Sequence, residues 1–356
     1  KTKRGTSGAP RVNYSMKMTM THQPRGIELL NGDQYTMMLK ESYFNPSQET
    51  YVGQVQELNY NELDSEFQMF NKNTDWVKLV KQEGLRQNHY LSIAGGGEKT
   101  LFRISGGYDH ETGSIIMQKL NRLSTRVALD YYVNERIKIV SDYALTYTRN
   151  YRNYDNLLSI AYVKMPNLSP YRYDSEGNNT GEYYIIPQYA FTNHDQLSAS
   201  QSNNFSDQRN LINPIASAHL ARNVETTYDI TPELQLDYKL LGLDDTSTQL
   251  TYNGKVVLNV YNDYTDKDYP RSLLSTNYYS NGKGTSYSRK NFAFTTTHTL
   301  NFQPHFTNTD HFFMAMARFQ LVSGNSSSQN TDVSRLTNRQ TSVTAGAYAG
   351  GMSRGF

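Results

Sequence analysis

Four groups of residues have types and spacings that could do chemistry. Ala94-Gly95-Gly96-Gly97-Glu98-Lys99-Thr100 has the look of a phosphate loop. A true phosphate loop needs four residues between its first glycine and a Gly-Lys pair, and then a helix. Here Glu98 separates Gly97 from Lys99 and a strand pattern follows. The stretch is therefore expected to be a tight turn, with glycine supplying positive φ. The eight histidines, at 22, 89, 110, 194, 219, 298, 305 and 311, show no i, i+4 pairing on a helical pattern. His305 and His311 flank a short turn but lack a third zinc ligand. Carboxylates cluster at Asp244-Asp245 and at Asp263, Asp266 and Asp268. The second set opens a long loop and could hold calcium through oxygen ligands, although no EF-hand glycine supports it. No G-x-S-x-G nucleophile motif is present. No catalytic, cofactor or metal site is expected beyond that calcium option, and the chain is not expected to be an enzyme.

Tyrosine makes the fourth group. The segment 150–232 carries Tyr151, Tyr154, Tyr162, Tyr171, Tyr173, Tyr183, Tyr184 and Tyr189 among many Asn, Ser and Gln. Aromatic rings beside amides suit the C–H faces and hydroxyls of sugars, and equally grip peptide backbones. The same rings can simply stack on one another. Tyr151, Tyr154, Tyr171, Tyr173, Tyr183, Tyr184 and Tyr189 are the candidates for contact with a ligand or partner.

The elements that must position these residues read as strands. Val12, Tyr14, Met16, Met18 and Met20 alternate with Asn13, Ser15, Lys17 and Thr19. Val127, Leu129, Tyr131 and Val133 alternate with Arg126, Ala128, Asp130 and Tyr132. Ile137, Ile139, Tyr143, Leu145 and Tyr147 share one parity, and Leu234, Leu236, Tyr238 and Leu240 another run of it. Successive strand side chains point to opposite faces, so each run has one apolar and one polar face. Further strands are expected near 89–94, 100–109, 248–263, 290–302, 311–322 and 338–349, about ten in all. Helical patterns are confined to 27–44 and to the residues after Thr74-Asp75, a helix-capping pair. Connections alternate between long (21–88, 110–121, 150–232, 264–289, 323–337) and short (95–99, 134–135, 242–247, 303–310).

Composition narrows the class. The 356 residues include 29 Tyr, one Trp and no Cys, with 37% hydrophobic residues and a net charge of +2. No disulfide framework or cysteine zinc site is available. The near-neutral balance gives no footprint for nucleic acid. No run of about 18 apolar residues exists, so no transmembrane helix is expected. Aromatics at this level exclude a disordered chain. A transmembrane antiparallel β-barrel accounts for the sorted loops, the apolar-out, polar-in dyad and the tyrosines at membrane–water interfaces. A soluble sandwich with one wet face also alternates. Strands longer than the usual 5–6 residues favour the barrel.

Specific residues resemble a known family. Thr74-Asp75-Trp76, Asn88-His89-Tyr90-Leu91-Ser92-Ile93-Ala94-Gly95-Gly96, Lys99-Thr100, Ser105-Gly106-Gly107-Tyr108 and Gly113-Ser114-Ile115-Ile116 look like a signature of the SusC/RagA-type TonB-dependent outer-membrane transporters of Bacteroidetes, with Ala94 in place of the usual Ser. Lys1-Thr2-Lys3-Arg4-Gly5 resembles the end of that family's plug domain. Asn213-Pro214-Ile215-Ala216, and Pro166 to Tyr171 with Asp174 and Gly177, resemble its loop motifs. The resemblance covers most of residues 1–300 and thins afterwards. It implies a fold, all-β, in which residues 1–10 end the plug or its linker. Residues 11–356 would then be about ten strands from the N-terminal half of a 22-stranded barrel, with extracellular loops near 21–88, 150–232 and 264–289. It also implies import of an oligosaccharide, or of a peptide, across the outer membrane of a Gram-negative, Bacteroidetes-like bacterium. The partners implied are a SusD-like surface lipoprotein as lid, TonB acting through the plug, and membrane lipid. A passive porin-like channel and a soluble β-rich glycan-binding protein or adhesin are the rival readings.

Overall fold

A computed structural model describes residues 5–43, 67–186, 211–244, 246–273, 282–306, 311–336 and 347–355. Its main element is a ten-stranded antiparallel sheet. The strands are β1 (Gly8–Thr21), β2 (Gly84–Gly96), β3 (Thr100–Thr112), β4 (Lys119–Tyr132), β5 (Ile137–Tyr151), β8 (Arg222–Leu241), β9 (Gln249–Tyr269), β10 (Gly282–Gln303), β11 (Ala315–Leu336) and β12 (Ala347–Gly355). Each pairs with its neighbour in chain order, β5 passing directly to β8. Between those two, β6 (Tyr171–Tyr173) and β7 (Asn179–Tyr183) make a separate small hairpin.

The expected strands are present and mostly longer than their patterns. β9, β10 and β11 run 21, 22 and 22 residues. The connections shrink accordingly to 113–118 after β3 and 270–281 after β9. The reason is that both faces of β9 to β11 turn polar near the long connections, so the apolar alternation stops while the backbone ladder continues. The strand expected at 338–349 falls largely outside the described residues, and β12 begins at Ala347.

The short turn after β2 corrects one expectation. Gly95, Gly96 and Gly97 have ordinary φ; among the described residues the positive-φ glycines are Gly8, Gly177, Gly181 and Gly242. Space requires the glycines here instead. A Cβ on Gly96 would lie 2.3 Å from the Thr100 carbonyl oxygen, and one on Gly95 would lie 2.8 Å from Pro10 Cα. Gly97 N–H donates to the Thr100 carbonyl at 2.9 Å and closes the turn.

The long connections fold into a compact cap of short helices. They are α1 (Gly32–Tyr43), α2 (Phe67–Phe70), α3 (Trp76–Val80), α4 (Leu157–Val163) and α5 (Pro214–Leu220). The helix expected over 27–44 starts only at Gly32. Met69, Trp76, Val80, Leu157, Met165 and Tyr184 form the buried centre of the cap, each at most 2% exposed. The sheet itself has few fully buried apolar residues, so the main hydrophobic core lies in the cap.

Candidate functional site

Two faces and one cap make up the candidate site. Cross-strand partners share a face, which allows each row of the sheet to be followed. The row beginning at Tyr14 passes through Leu91, Gly106, Thr125, Leu145, Ile230, Val260 and Phe292. The rows alternating with it on the same face hold Val12, Met16, Ile104, Leu123, Val127, Tyr143 and Leu234. This face is an apolar belt, and its side chains stay exposed: Val12 is 67% and Phe292 48% accessible.

The belt crosses the strands obliquely. On β1 only Val12 lies beyond Tyr14 toward the short turns, whereas on β10 the apolar run continues from Phe292 to Phe302. It slides by about eight residues over seven strand spacings, a strand tilt of roughly 35–40° at ~3.3 Å per residue and ~4.8 Å between strands. Membrane barrels tilt their strands by about the same angle. Aromatic rings border both edges of the belt. Tyr108, Tyr147 and Tyr228 line the side toward the cap, with the last two 4.9 Å apart. Tyr131, Tyr238, Tyr252 and Phe319 line the side toward the short turns, where the Tyr252 hydroxyl meets His298 Nδ1 at 2.6 Å.

The opposite face is polar and ion-paired. Arg126 grips Asp142 with two bonds of 2.8 and 2.7 Å, and Asp142 is only 4% exposed. Charge-assisted forks of this kind fix both groups in orientation. Lys138 reaches Asp130 at 3.0 Å and Lys255 reaches Glu233 at 2.8 Å. Nearer the cap, Arg152 meets Glu225 at 2.6 Å.

The cap explains the sequence motifs. Asp75 is the N-cap of α3, accepting from Lys78 N at 2.9 Å, and places Trp76 in the core, where its indole N–H donates to the Met165 carbonyl at 2.8 Å. Thr74 N donates to the Pro166 carbonyl at 2.7 Å. Asn213 caps α5 by accepting from Ile215 N and Ala216 N. Its amide also donates to the carbonyls of Pro170 and Tyr184, at 2.7 and 3.1 Å. The Asn-Pro pair thus stitches three separated segments, with Pro214 at the helix start where its missing N–H costs nothing. Asp174 closes the β6–β7 turn, accepting from Glu176 N and Asn178 N, while Gly177 takes φ +83°. Those bonds hold the exposed Asp174 carboxyl below its ordinary range, the one from Asn178 N most of all.

The candidate tyrosines separate. Tyr171 stacks on Tyr183 at 5.6 Å and Tyr183 on His219 at 6.0 Å, a partly open aromatic row. Burial, with Tyr171 beside it, pushes the Tyr183 hydroxyl up. Tyr173 lies beneath the Lys72 ammonium at 4.1 Å, and Tyr151 beneath Arg149 at 5.1 Å. Tyr154 packs on Tyr269 at 4.8 Å. Tyr184 is in the cap core, edge-on to Phe70, and has no exposed ring to offer a ligand. Tyr189 lies outside the described residues. Asp263, Asp266 and Asp268 sit along β9 rather than at the head of a loop. Asp263 is on the polar face, its partners Thr227 and Arg289, and the other two project oppositely. No group of three His, Cys, Asp or Glu that could hold a metal ion exists among the described residues.

Two ionisable groups of the cap, one buried and one half-buried, were not singled out by the sequence, because nothing local marks them. Lys164 is fully covered, its ammonium donates to the Leu211 carbonyl, and burial lowers it to about 7. Asp155 accepts from Ser217 Oγ at 2.6 Å, and burial raises its carboxyl.

Known proteins share this sequence and architecture. No family model matches the chain. The TonB-dependent receptor SusC of Bacteroides thetaiotaomicron is 24% identical over 259 residues, 71% of this chain and 23% of its own length. TonB-dependent receptor P3 of Formosa agariphila is 25% identical over 138 residues, 39% of this chain and 12% of its own. Among solved structures, the RagAB peptide transporter superposes over 99% of this chain and 40% of that one, with a TM-score of 0.66 and 13% identity. The RagAB peptide importer in its open-open state gives 0.64 over 99% and 38%, also at 13% identity. The chain thus spans less than a quarter of these curated relatives. With the oblique apolar belt, the ion-paired polar face and the capping motifs in place, the chain is similar in sequence to SusC-type TonB-dependent receptors and shares the fold of a stretch of the RagAB transporter's β-barrel wall.

Proposed function

We propose that the protein carrying this chain imports a large nutrient across the outer membrane, driven by TonB, with a SusD-like surface lipoprotein as lid over the cap. The belt faces lipid, the ion-paired face lines the lumen, and the cap stands on the extracellular side. The nutrient is an oligosaccharide, with a peptide as the second reading, prompted by the likeness to the RagAB peptide importers. The observation that carries the membrane reading is the exposed belt running obliquely across the strands at a barrel's tilt. The aromatic row Tyr171, Tyr183 and His219 is the part of the cap offered to substrate or lid. No bond-breaking chemistry is assigned.

Uptake of labelled oligosaccharide or peptide by whole cells tests this reading. Deleting the gene abolishes accumulation, and so does inactivating TonB with the gene intact. Uptake that survives loss of TonB would mean a passive porin-like channel. Recovery of the full-length protein in the soluble fraction without detergent would mean a soluble glycan-binding protein or adhesin.

A further inference from the structure

Charge is sorted between the two faces of the main sheet. Among the described residues, the ion-paired cations of the sheet all lie on the polar face: Arg86, Arg126, Lys138 and Lys255, with Arg152 one residue past β5. Among the strand residues whose side chains are described, the belt face carries four cations, Lys119, Arg149, Arg222 and Lys290; Arg222 stands across from Asp268, and the other three stand across from no carboxylate on an adjacent strand. All four stand at one edge of the belt, the edge toward the cap, with Arg222 one row beyond Lys119. Arg149 lies in the row of Asn121 and Thr226, one row beyond Tyr147 and Tyr228. Lys119 lies one row further, paired with Thr112 and Tyr151. Lys290 is two residues from Phe292, where the belt begins on β10. The opposite edge of the belt ends in Thr100, Tyr131, Tyr238, Leu250 and Phe302, with no charge on that face.

The geometry suits an anion. Lys119 and Arg149 are diagonal neighbours on adjacent strands, about 7–8 Å between Cα atoms, near enough to share one phosphate. Arg149 is half-buried, held over the Tyr151 ring, and its Nε–H is buried with no hydrogen-bond partner. A guanidinium held in place by a ring presents its terminal N–H groups in a fixed fork that matches phosphate oxygens. Lys119 and Lys290 are exposed. The carboxylates on this face, Asp266 and Asp268, lie on β9, and Asp268 faces Arg222 across the β8–β9 pair, which leaves Lys119, Arg149 and Lys290 as the cations without a facing carboxylate. Asp266 accepts from Ser286 Oγ at 2.8 Å and sits two rows beyond Lys290, about 13 Å along the strand.

We propose that Lys119, Arg149 and Lys290 form a cationic collar that binds the phosphate groups of phosphorylated lipid headgroups in the leaflet on the cap side. The proposal rests on the belt being the lipid-facing surface. Lys119 and Arg149 hold one headgroup together, and Lys290 holds another further round the wall. The collar sets the height of the wall in the membrane, because it binds at the headgroup level while the belt binds at the level of the chains.

The test uses the full-length protein in phosphatidylcholine nanodiscs containing either lipid A with both phosphates or the same lipid after enzymatic dephosphorylation. Native mass spectrometry reads the lipid retained. The wild type retains the phosphorylated form preferentially, by about fivefold per cation engaged. The Lys119→Gln/Arg149→Gln/Lys290→Gln variant brings the ratio close to one, and Lys119→Arg/Lys290→Arg keeps it. An unchanged ratio in the triple variant, with the barrel intact by its heat-dependent gel shift, overturns the collar. If the triple variant does not fold, the exposed pair Lys119→Gln/Lys290→Gln decides. A drop in ratio supports the collar, and no drop overturns it. Millimolar inorganic phosphate leaves the ratio unchanged. Its loss would overturn the lipid assignment in favour of a soluble-anion site. A protein that never enters the bilayer sinks the membrane reading and the collar together, whereas one that inserts and imports without lipid selectivity sinks the collar alone.

Discussion

Asn213 does more in the cap than its loop position suggests. It caps α5 through two backbone N–H groups and pins two carbonyls from separate segments, all while 3% exposed. Asn213→Ala removes the acceptor and leaves buried groups unpaired, at about 1–3 kcal/mol. Trp76→Ala opens a cavity at the cap centre and frees the Met165 carbonyl, at about 3–5 kcal/mol. Both are read as faster amide exchange confined to the cap, with the sheet unchanged; uniform acceleration over β2 to β5 would refute that division. Lys164 gives a pH-dependent counterpart. Its ordinary value is 10.5 and in the cap it is about 7. Between these values the unfolded segment holds a proton that the folded cap does not, so cap stability rises with pH across that window and is lowest at and below about pH 7. Asp155, raised by burial, acts in the opposite sense, favouring the fold as pH falls. Corrected for intrinsic rates, protection of α4 and α5 is higher at pH 9 than at pH 6.5. Lys164→Met flattens the difference, and persistence of the full difference in that variant would show another group to be responsible.

At the scale of the element, period two does most of the positioning. Leu234 and Leu236 lie on the belt face, and Gln235 and Asp237 on the polar face, as alternation requires. Alternation breaks at the end of β8, where a bulge between Lys239 and Leu241 leaves Leu240 in the irregularity and returns Leu241 to the belt opposite Leu250. Local spacing could not show this, because register is fixed by the partner strand. Leu236→Arg places a charge in the belt and costs roughly 2–4 kcal/mol near the bilayer midplane. Denaturant titration in lipid vesicles reads it, and a neutral result would reverse the assignment of faces. In the turn after β2, Gly96→Ala forces a Cβ against the Thr100 carbonyl at 2.3 Å and the Leu101 Cα at 2.8 Å, backbone atoms that cannot swing aside. The β2–β3 hairpin is expected to lose about 1–3 kcal/mol through overpacking, seen as selective loss of protection for Gly97 and Tyr132 amides.

At the scale of the whole molecule, the chain divides its labour between a wall with little core and a cap with most of it. The wall contrasts an exposed apolar belt with a face of part-buried ion pairs such as Arg126–Asp142. A soluble sheet would cover its apolar face with a second layer, and none covers this one among the described residues. The Tyr171, Tyr183 and His219 row belongs to the same outer region as the cap. Tyr171→Ala or Tyr183→Ala is expected to lower uptake by about fivefold if the row contacts substrate or lid, the magnitude of losing one stacked ring of about 1 kcal/mol. Unchanged uptake in both variants would return the row to packing alone.

Alternation in Val12 to Met20, Val127 to Val133 and Leu234 to Leu240 was enough to determine an antiparallel sheet with one apolar face, because side-chain direction in a strand depends on parity alone. The Asp75–Trp76 and Asn213–Pro214 pairs likewise marked helix starts by local capping chemistry. The tertiary structure alone decided how far each strand runs and how the belt tilts, since cross-strand register is a property of two chain segments. It also decided which tyrosines are open. Tyr183 and Tyr184 are adjacent and equally aromatic, yet one stacks at the rim and the other is sealed against Phe70. Their separation comes from the strand-like reversal at the end of β7 and from segments more than a hundred residues away folding over one side of it.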